Sequence, residues 1–339
     1  MTMAIAWPGP ADVEEKTLRL GPELGSGGQG RVLRVEGQGI PLVFKQYKVT
    51  GADQGALKVL VDLPATLQPS ERDQLHTRAA WPLARVFAGG QLRGFLMQEI
   101  PGKFFGANVA GSMKLRELQH LVYPRRPAWG EIVPEGGVSA QARLEIASEF
   151  TKLLVVLHSK GLVVGDVSTS NILWTGSDDK AAAIFIIDCD GIRKVGSRPV
   201  LRQADTLDWD DPFQPRTGPD LDTDRYKLAL LVGRVLTIGK DLRPGDPLQL
   251  VPDVPDRVAA RVTALWQRAA GPYGTRPDAV QWTMALSNRD EITLPPPGRV
   301  RQRPSLPHKP LDGDPGTVRP VINLQPHGGT NPAPKPPGT

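Results

Sequence analysis

The chain reads as α+β, with its strands gathered in the first third and its helices in the rest. Short alternating apolar runs, broken by glycine pairs and Asp/Gly turns, fill the stretch from about Thr17 to Ile100. From Ser139 onward apolar residues recur every three or four positions instead. At Pro295 this periodicity stops and a proline-rich composition takes over.

In chain order, residues 1–17 form an extension ahead of a twisted antiparallel sheet at 18–100. Leu24 through Val32 is a glycine run between two strand-like runs, the second being Arg31 through Val35, and Val43-Phe44-Lys45 belongs to the next strand. A helix over Gln54–Leu63, around Ala56, is expected to end at Pro64 and Pro69, because proline offers no N–H to the helix ladder. Leu83–Ala88 and Leu92–Ile100 read as two strands around Gly89-Gly90. The second folded part, 101–294, is mainly helical. Leu144, Ile146, Ala147, Phe150, Leu153, Leu154 and Leu157 place one apolar face on a helix over Ser139–Ser159, with Ser139 as N-cap. His158, near its end, reads as a core or capping residue. Thr175 to Lys180 is a hairpin tip whose acids, Asp178 and Asp179, read as solvated. Helices follow from Asp224 to about Leu236, whose early carboxylate suits the N-terminal dipole, and over Val258–Ala269 and Ala279–Ser287.

Residues 295–339 hold thirteen of the 34 prolines and six Lys or Arg against two Asp, so they carry +4 of the formal net charge of +5. Such a segment is expected to stay solvated and disordered, although Pro304, Pro307 and Pro310 have polyproline spacing. About +1 is left for the folded part, which gives no reason to expect nucleic-acid or membrane binding. The first twenty residues contain Asp12, Glu14 and Glu15, no apolar run approaches membrane length, and Cys189 is the single cysteine. A cytoplasmic protein without disulfides is expected, and five scattered histidines give no zinc spacing.

The chemistry concentrates in Val164-Gly165-Asp166-Val167-Ser168-Thr169-Ser170-Asn171, followed by Ile186-Ile187-Asp188-Cys189-Asp190-Gly191. A carboxylate with an amide five residues later suits a loop that aims one group at an attacking hydroxyl and the other at a metal ion. A second carboxylate then arrives at the end of an apolar strand. Upstream, Gly25, Gly27 and Gly30 fit G-x-G-x-x-G-x-V ending at Val32, with Lys45 fifteen residues beyond the last glycine. A dinucleotide fingerprint would need a helix directly after the glycines, whereas Arg31 to Val35 alternates as a strand.

Taken in order, the glycine loop, Lys45, Asp166 with Asn171, Asp188, Asp211-Pro212, the run Asp224 to Leu230 and Arg276-Pro277 resemble the protein-kinase superfamily over residues 18–290. The closest likeness is to divergent bacterial Ser/Thr kinases with a Gly-Asp catalytic loop. The resemblance implies a bilobal kinase-like fold that binds ATP and Mg²⁺. Lys45 would hold the α- and β-phosphates, Asp166 would orient the acceptor hydroxyl or take its proton, and Asn171 and Asp188 would bind magnesium. Val32 and Val43 would cover adenine, Met97 would be the gatekeeper, and backbone groups near Gln98 and Ile100 would bond the adenine edge. In the family the aspartate matching Asp224 braces the catalytic loop.

The pattern also departs from the family. Val164-Gly165 replaces His-Arg, which argues against control by a phosphorylated activation loop. Cys189-Asp190 replaces Phe-Gly, so Asp190 competes with Asp188 as metal ligand, Asp188 being favoured by its place at the strand end. Ser168 stands where a lysine is usual. Lys45 has no evident glutamate partner, with Asp62 and Glu71 the candidates, and Phe213 occupies the place of a glutamate that would pair Arg276. Ser197 and Thr206 are candidate phosphoacceptors in the segment Gly191–Pro212. The alternatives are a small-molecule phosphotransferase of the aminoglycoside-kinase type and a nucleotide-binding pseudokinase scaffold. By family analogy alone, a metal-dependent phosphatase and a von Willebrand A-type protein are expected partners.

Overall fold

A computed structural model describes residues 7–177, 180–202, 206–239 and 241–287. The readings of Asp178 and Asp179 and of the proline-rich tail lie outside the described residues. The described part belongs to one unit, residues 1–289. It is α+β, and no helix among the described residues is long and apolar enough to cross a membrane.

The strands β1 (Asp12–Glu14), β2 (Arg19–Ser26), β3 (Gly30–Glu36), β4 (Leu42–Tyr47), β5 (Ala84–Ala88) and β6 (Gln91–Gln98) form one sheet in the order β1-β5-β6-β4-β3-β2. The sheet is mixed, which corrects the expected wholly antiparallel one. Asp12–Glu14, from the stretch read as an extension, pairs parallel to Arg85–Phe87, and the bidentate Arg85–Asp12 contact at 2.7 and 2.6 Å pins that edge. The strand β4 is central and buried along its whole length, so Lys45 and Gln46 are carried into the interior with it.

Between β4 and β5 there are two helices rather than one, α1 (Gln54–Thr66) and α2 (Pro69–Arg78). Pro64 was expected to end α1, yet the helix continues through it. The carbonyl of Leu60, which residue 64 would normally bond, accepts instead from the indole Nε1 of buried Trp81 at 2.8 Å. Pro69 does not break a helix either. It occupies the first position of α2, where its missing N–H costs nothing, and Gln68 and Glu71 close a capping box around it.

Two short strands, β7 (Phe105–Ala107) and β8 (Met113–Leu115), and the one-turn α3 (Gln119–Val122) lead to α4 (Ala140–Ser159), capped as expected by Ser139 through the Ala142 N–H at 3.3 Å. After α4 come β9 (Leu162–Val163), the hairpin β10 (Ile172–Ser177) and β11 (Lys180–Ile186), and β12 (Arg193–Lys194), which pairs with β9. The remaining helices are α5 (Leu221–Thr237), α6 (Asp256–Ala269) and α7 (Ala279–Leu286). Asp220, not Asp224, caps α5, and Asp224 lies fully buried one turn inside it.

The main core is built where α4 and α5 pack with Trp174, Trp266 and Trp282. Gly233 is the contact point of α5 with Trp266. A Cβ there would lie 2.2 Å from the indole, so no other residue lets the ring rest on the helix unshifted.

The Trp81–Leu60 bond generates a prediction. Trp81→Phe orphans a buried carbonyl and should lower stability by about 1–3 kcal/mol in urea unfolding. Adding Pro64→Ala returns an N–H to that carbonyl and should recover part of the loss, whereas simple additivity of the two changes would exclude the exchange.

Candidate functional site

A cleft of about 1090 Å³ runs beneath the β2–β3 turn. Its walls bring together Gly25, Gly27, Gly30, Val32, Val43, Lys45, Met97, Gln98, Ile100 and Asp188, residues spread over 160 positions of chain. Register explains the upper wall: Val32 pairs with Lys45 across β3–β4, and Val43 with Met97 across β4–β6. The Gly27 N–H donates to the Gly30 carbonyl at 2.8 Å and closes the turn. A Cβ at Gly25, Gly27 or Gly28 would meet nothing within 4 Å, so packing does not demand these glycines. What they provide is a backbone that a bulky anion can approach closely. Gly30 differs, since a Cβ there would strike the Gln46 carbonyl at 2.7 Å.

Beyond Gln98 the strand leaves the sheet. The Glu99 N–H donates to Pro41 at 3.0 Å and its carboxylate holds Arg34, which fixes the segment carrying Ile100. The far wall comes from 101–138, a stretch without a site assignment in the sequence. Phe105, Met113, Leu115, Glu117 and Trp129 reach the cleft through the β7–β8 hairpin and the turn after α3. No local motif announces them, because they meet the cleft only through that chain path.

At the inner end Lys45 Nζ lies 2.7 Å from Asp188 Oδ1 and 2.7 Å from Asp190 Oδ1. Asp190 is 3% exposed and also accepts from the Tyr47 hydroxyl at 3.1 Å, whereas the Asp188 side chain is 45% exposed at the cleft. The expected partners of Lys45 are therefore corrected. Asp62 faces solvent and pairs with Lys58, and Glu71 pairs with Lys160 at 2.8 Å. The missing anion comes from the strand end itself, two residues after Asp188, and the Asp-x-Asp spacing was the signal for it. Burial alone would lower the Lys45 pKa, but Asp190 and then Asp188 outweigh it and hold it above the ordinary lysine value. Cys189, between the two acids, is a core residue. Burial first, then the neighbouring carboxylates, push its thiol well above the usual range, so it is no nucleophile.

Asp188 adopts φ +60°, left-handed for a non-glycine residue, and this turns the chain from β11 into the buried Asp190. The Ile187 N–H donates to the Asn171 carbonyl at 2.9 Å, which sets Asn171 beside Asp188. Among the described residues no three His, Cys, Asp or Glu groups converge as a self-sufficient metal cluster. Asn171 and Asp188 instead suit a hard cation that brings phosphate and water oxygens with it, as Mg²⁺ does.

The loop after β9 is fixed from below. Asp224 accepts the N–H groups of Val164 at 2.7 Å and Gly165 at 2.8 Å, and Lys227 Nζ donates to the Gly165 carbonyl at 2.6 Å. His158 Nε2 meets Asp224 at 3.1 Å, so it belongs to this brace rather than to a helix cap. Gly165 takes φ +77°, and a Cβ would lie 2.9 Å from Arg193 Nη1. Held this way, Asp166 accepts from Asn171 Nδ2 at 2.7 Å through one oxygen and from the Thr206 hydroxyl at 2.8 Å through the other. The carboxylate is thus aimed to receive a hydroxyl, and the one it holds belongs to a residue read above as a phosphoacceptor.

Arg276 is also paired, contrary to the reading from Phe213. Asp211 supplies the carboxylate at 2.6 and 2.8 Å, fully buried, while Phe213 lies against the guanidinium with its ring 5.7 Å away. No protein-family model matches the chain, and no curated protein matches its sequence.

Two outcomes follow. Arg276→Ala leaves Asp211 buried without its cation and should cost about 3–5 kcal/mol of unfolding free energy. Asp190→Asn removes the stronger of two carboxylates opposing burial at Lys45, so its pKa should fall. A raised lysine pKa contributes stability present below about pH 10.4 and lost as pH rises through the folded value. Competitive amine acylation near about pH 9 should therefore modify Lys45 faster in the variant, and equal labelling would refute the assignment.

Proposed function

We propose that this chain is an ATP-dependent Ser/Thr protein kinase with a bilobal kinase-like fold. The supporting observation is that Lys45 and Asp188 meet at the inner end of a cleft roofed by a glycine turn, and that Asp188 also lines a small adjoining pocket with Asn171 and Asp166, which are hydrogen-bonded to each other. A cation, two carboxylates and an amide from three separate strands and loops are thereby brought side by side, the set of groups that phosphoryl transfer requires.

In this reading the triphosphate lies under the Gly25–Gly30 turn, with adenine between Val32, Val43 and Met97 and its edge at Gln98 and Ile100. Lys45 holds the α- and β-phosphates while Asp190 keeps its ammonium in place. Asn171 and Asp188 would hold Mg²⁺, which would supply neutralisation of the charge on the phosphate oxygens. Asp166 orients the acceptor hydroxyl and takes its proton as the oxygen–phosphorus bond forms and the bond from the γ-phosphorus to the β–γ bridging oxygen breaks, releasing ADP. The scaffold alternative drew on the uncertain partner of Lys45 and on Cys189-Asp190 in place of Phe-Gly; the pairing of Asp190 with Lys45 answers the first of these and leaves the second. A second cleft beside Asp166, walled by residues 197–202 and 214–219, favours a polypeptide acceptor over a small alcohol.

The test is incubation with γ-labelled ATP and Mg²⁺, with and without a generic protein acceptor. Asp166→Ala should reduce transfer by ~10²–10⁴-fold with nucleotide affinity little changed, whereas Asp188→Ala should weaken binding of the magnesium nucleotide. Label that survives Asp166→Ala would overturn the role of Asp166. Nucleotide binding without transfer would return the reading to a scaffold.

A further inference from the structure

The cleft beside Asp166 measures about 1060 Å³, and its charged lining is one-sided. It contains Arg193, Arg198, Arg202 and Arg216 against Asp53 and Asp166. The two carboxylates are engaged, since Asp53 caps α1 through the Ala56 N–H at 2.9 Å and Asp166 holds Asn171 and Thr206. The guanidinium groups of Arg198, Arg202 and Arg216 belong to exposed residues and have no hydrogen-bonding or ionic partner among the described residues. Arg193 is different. It is buried against Gly165 and donates to the Gly191 and Pro219 carbonyls at 3.4 and 2.8 Å, so it is a fixed positive charge at the base of the cleft.

The backbone that presents Arg198 and Arg202 is tied down. The Val200 carbonyl accepts from the Asp53 N–H at 2.8 Å, and the Arg202 carbonyl accepts from Gln29 Nε2 at 3.0 Å. One wall of the cleft is thereby anchored to both the start of α1 and the glycine turn. Arginines without anions of their own among the described residues favour carboxylates, which they can bind through two parallel N–H groups, and concave walls strengthen their combined field. Residues 295–339, themselves carrying +4, have the wrong sign to fill this cleft.

Resting on the kinase reading above, we infer that the acceptor is an acidic polypeptide segment, a Ser or Thr flanked by Asp or Glu. The hydroxyl would reach Asp166 while flanking carboxylates meet Arg198, Arg202 and Arg216.

Three synthetic peptides sharing one Ser/Thr core, flanked by Glu, Gln or Lys, test this with the full chain. Transfer from ATP is measured alongside binding of the same fluorescently labelled peptides, with a non-hydrolysable ATP analogue and Mg²⁺ present. The Glu peptide should exceed the Gln peptide in kcat/KM by roughly 10-fold, at about 5-fold or less per exposed ion pair, and the advantage should shrink as salt rises. The double variant Arg198→Glu/Arg216→Glu, its folding checked by thermal melting, should abolish that preference through KM rather than kcat. Retention of the preference in the variant would overturn the placement. Transfer with equal or greater efficiency to the Gln or Lys peptide would overturn the acidic preference and leave the kinase reading standing. Selective binding of the Glu peptide without transfer to any would uphold the acidic surface and overturn the kinase reading, and neither binding nor transfer would overturn both. Equal competition by free phosphate or citrate at matched charge would reduce the surface to a general anion site and overturn the peptide assignment.

Discussion

Lys45 joins the two halves of the site. It sits on β4, the strand buried on both faces, and its ammonium, in a side chain 8% exposed, lies between carboxylates delivered by the end of β11. A buried cation of this kind is costly unless paired, so the sheet and the β10–β11 hairpin must hold their relative position for the charge to be satisfied. The backbone agrees with the side chains here. The Ala80 N–H donates to the Ile186 carbonyl at 2.8 Å, linking the chain after α2 to the strand that ends in Asp188.

That arrangement divides the work between two acids that look alike in sequence. Asp190 is locked by Lys45 and Tyr47 and has little freedom to do anything but hold the ammonium. Asp188 shares the lysine yet stays half-exposed in the cleft, where it can exchange that contact for another cation. Because both carboxylates come from one turn, the lysine does not wait for a separate helix to bring it an anion. The helix α1 supplies it no anion, and the Lys58–Asp62 pair of that helix faces solvent.

The helix α5 plays the matching part on the other side. Asp224 and Lys227, both fully buried, replace the hydrogen bonds that the backbone at Val164 and Gly165 would otherwise make with water. A loop fixed through its main chain does not need its side chains to hold its shape, and Asp166 and Asn171 bond each other and Thr206 instead. Gly165 is required twice, by its positive φ and by the guanidinium of Arg193 against it.

Much of this was legible in the sequence, for local reasons. Periodicity placed α4, α6 and α7 to within about two residues because each buries one apolar stripe. The glycine turn, Lys45, Asp166, Asn171 and Asp188 were legible because each is a residue type tied to a turn or a strand end. Pro64 misled because its missing N–H is replaced by Trp81, seventeen residues away. The mixed sheet was missed because three residues at Asp12–Glu14 are too few to show alternation. The sequence by itself determined the glycine turn, the strand ends and the longer helices, since propensity and period act over a few neighbours. The tertiary structure alone decided who pairs with whom: Asp190 with Lys45, Asp211 with Arg276, and three arginines with one cleft. Those choices depend on burial, which sets the cost of an unpaired charge and is fixed only when distant segments meet.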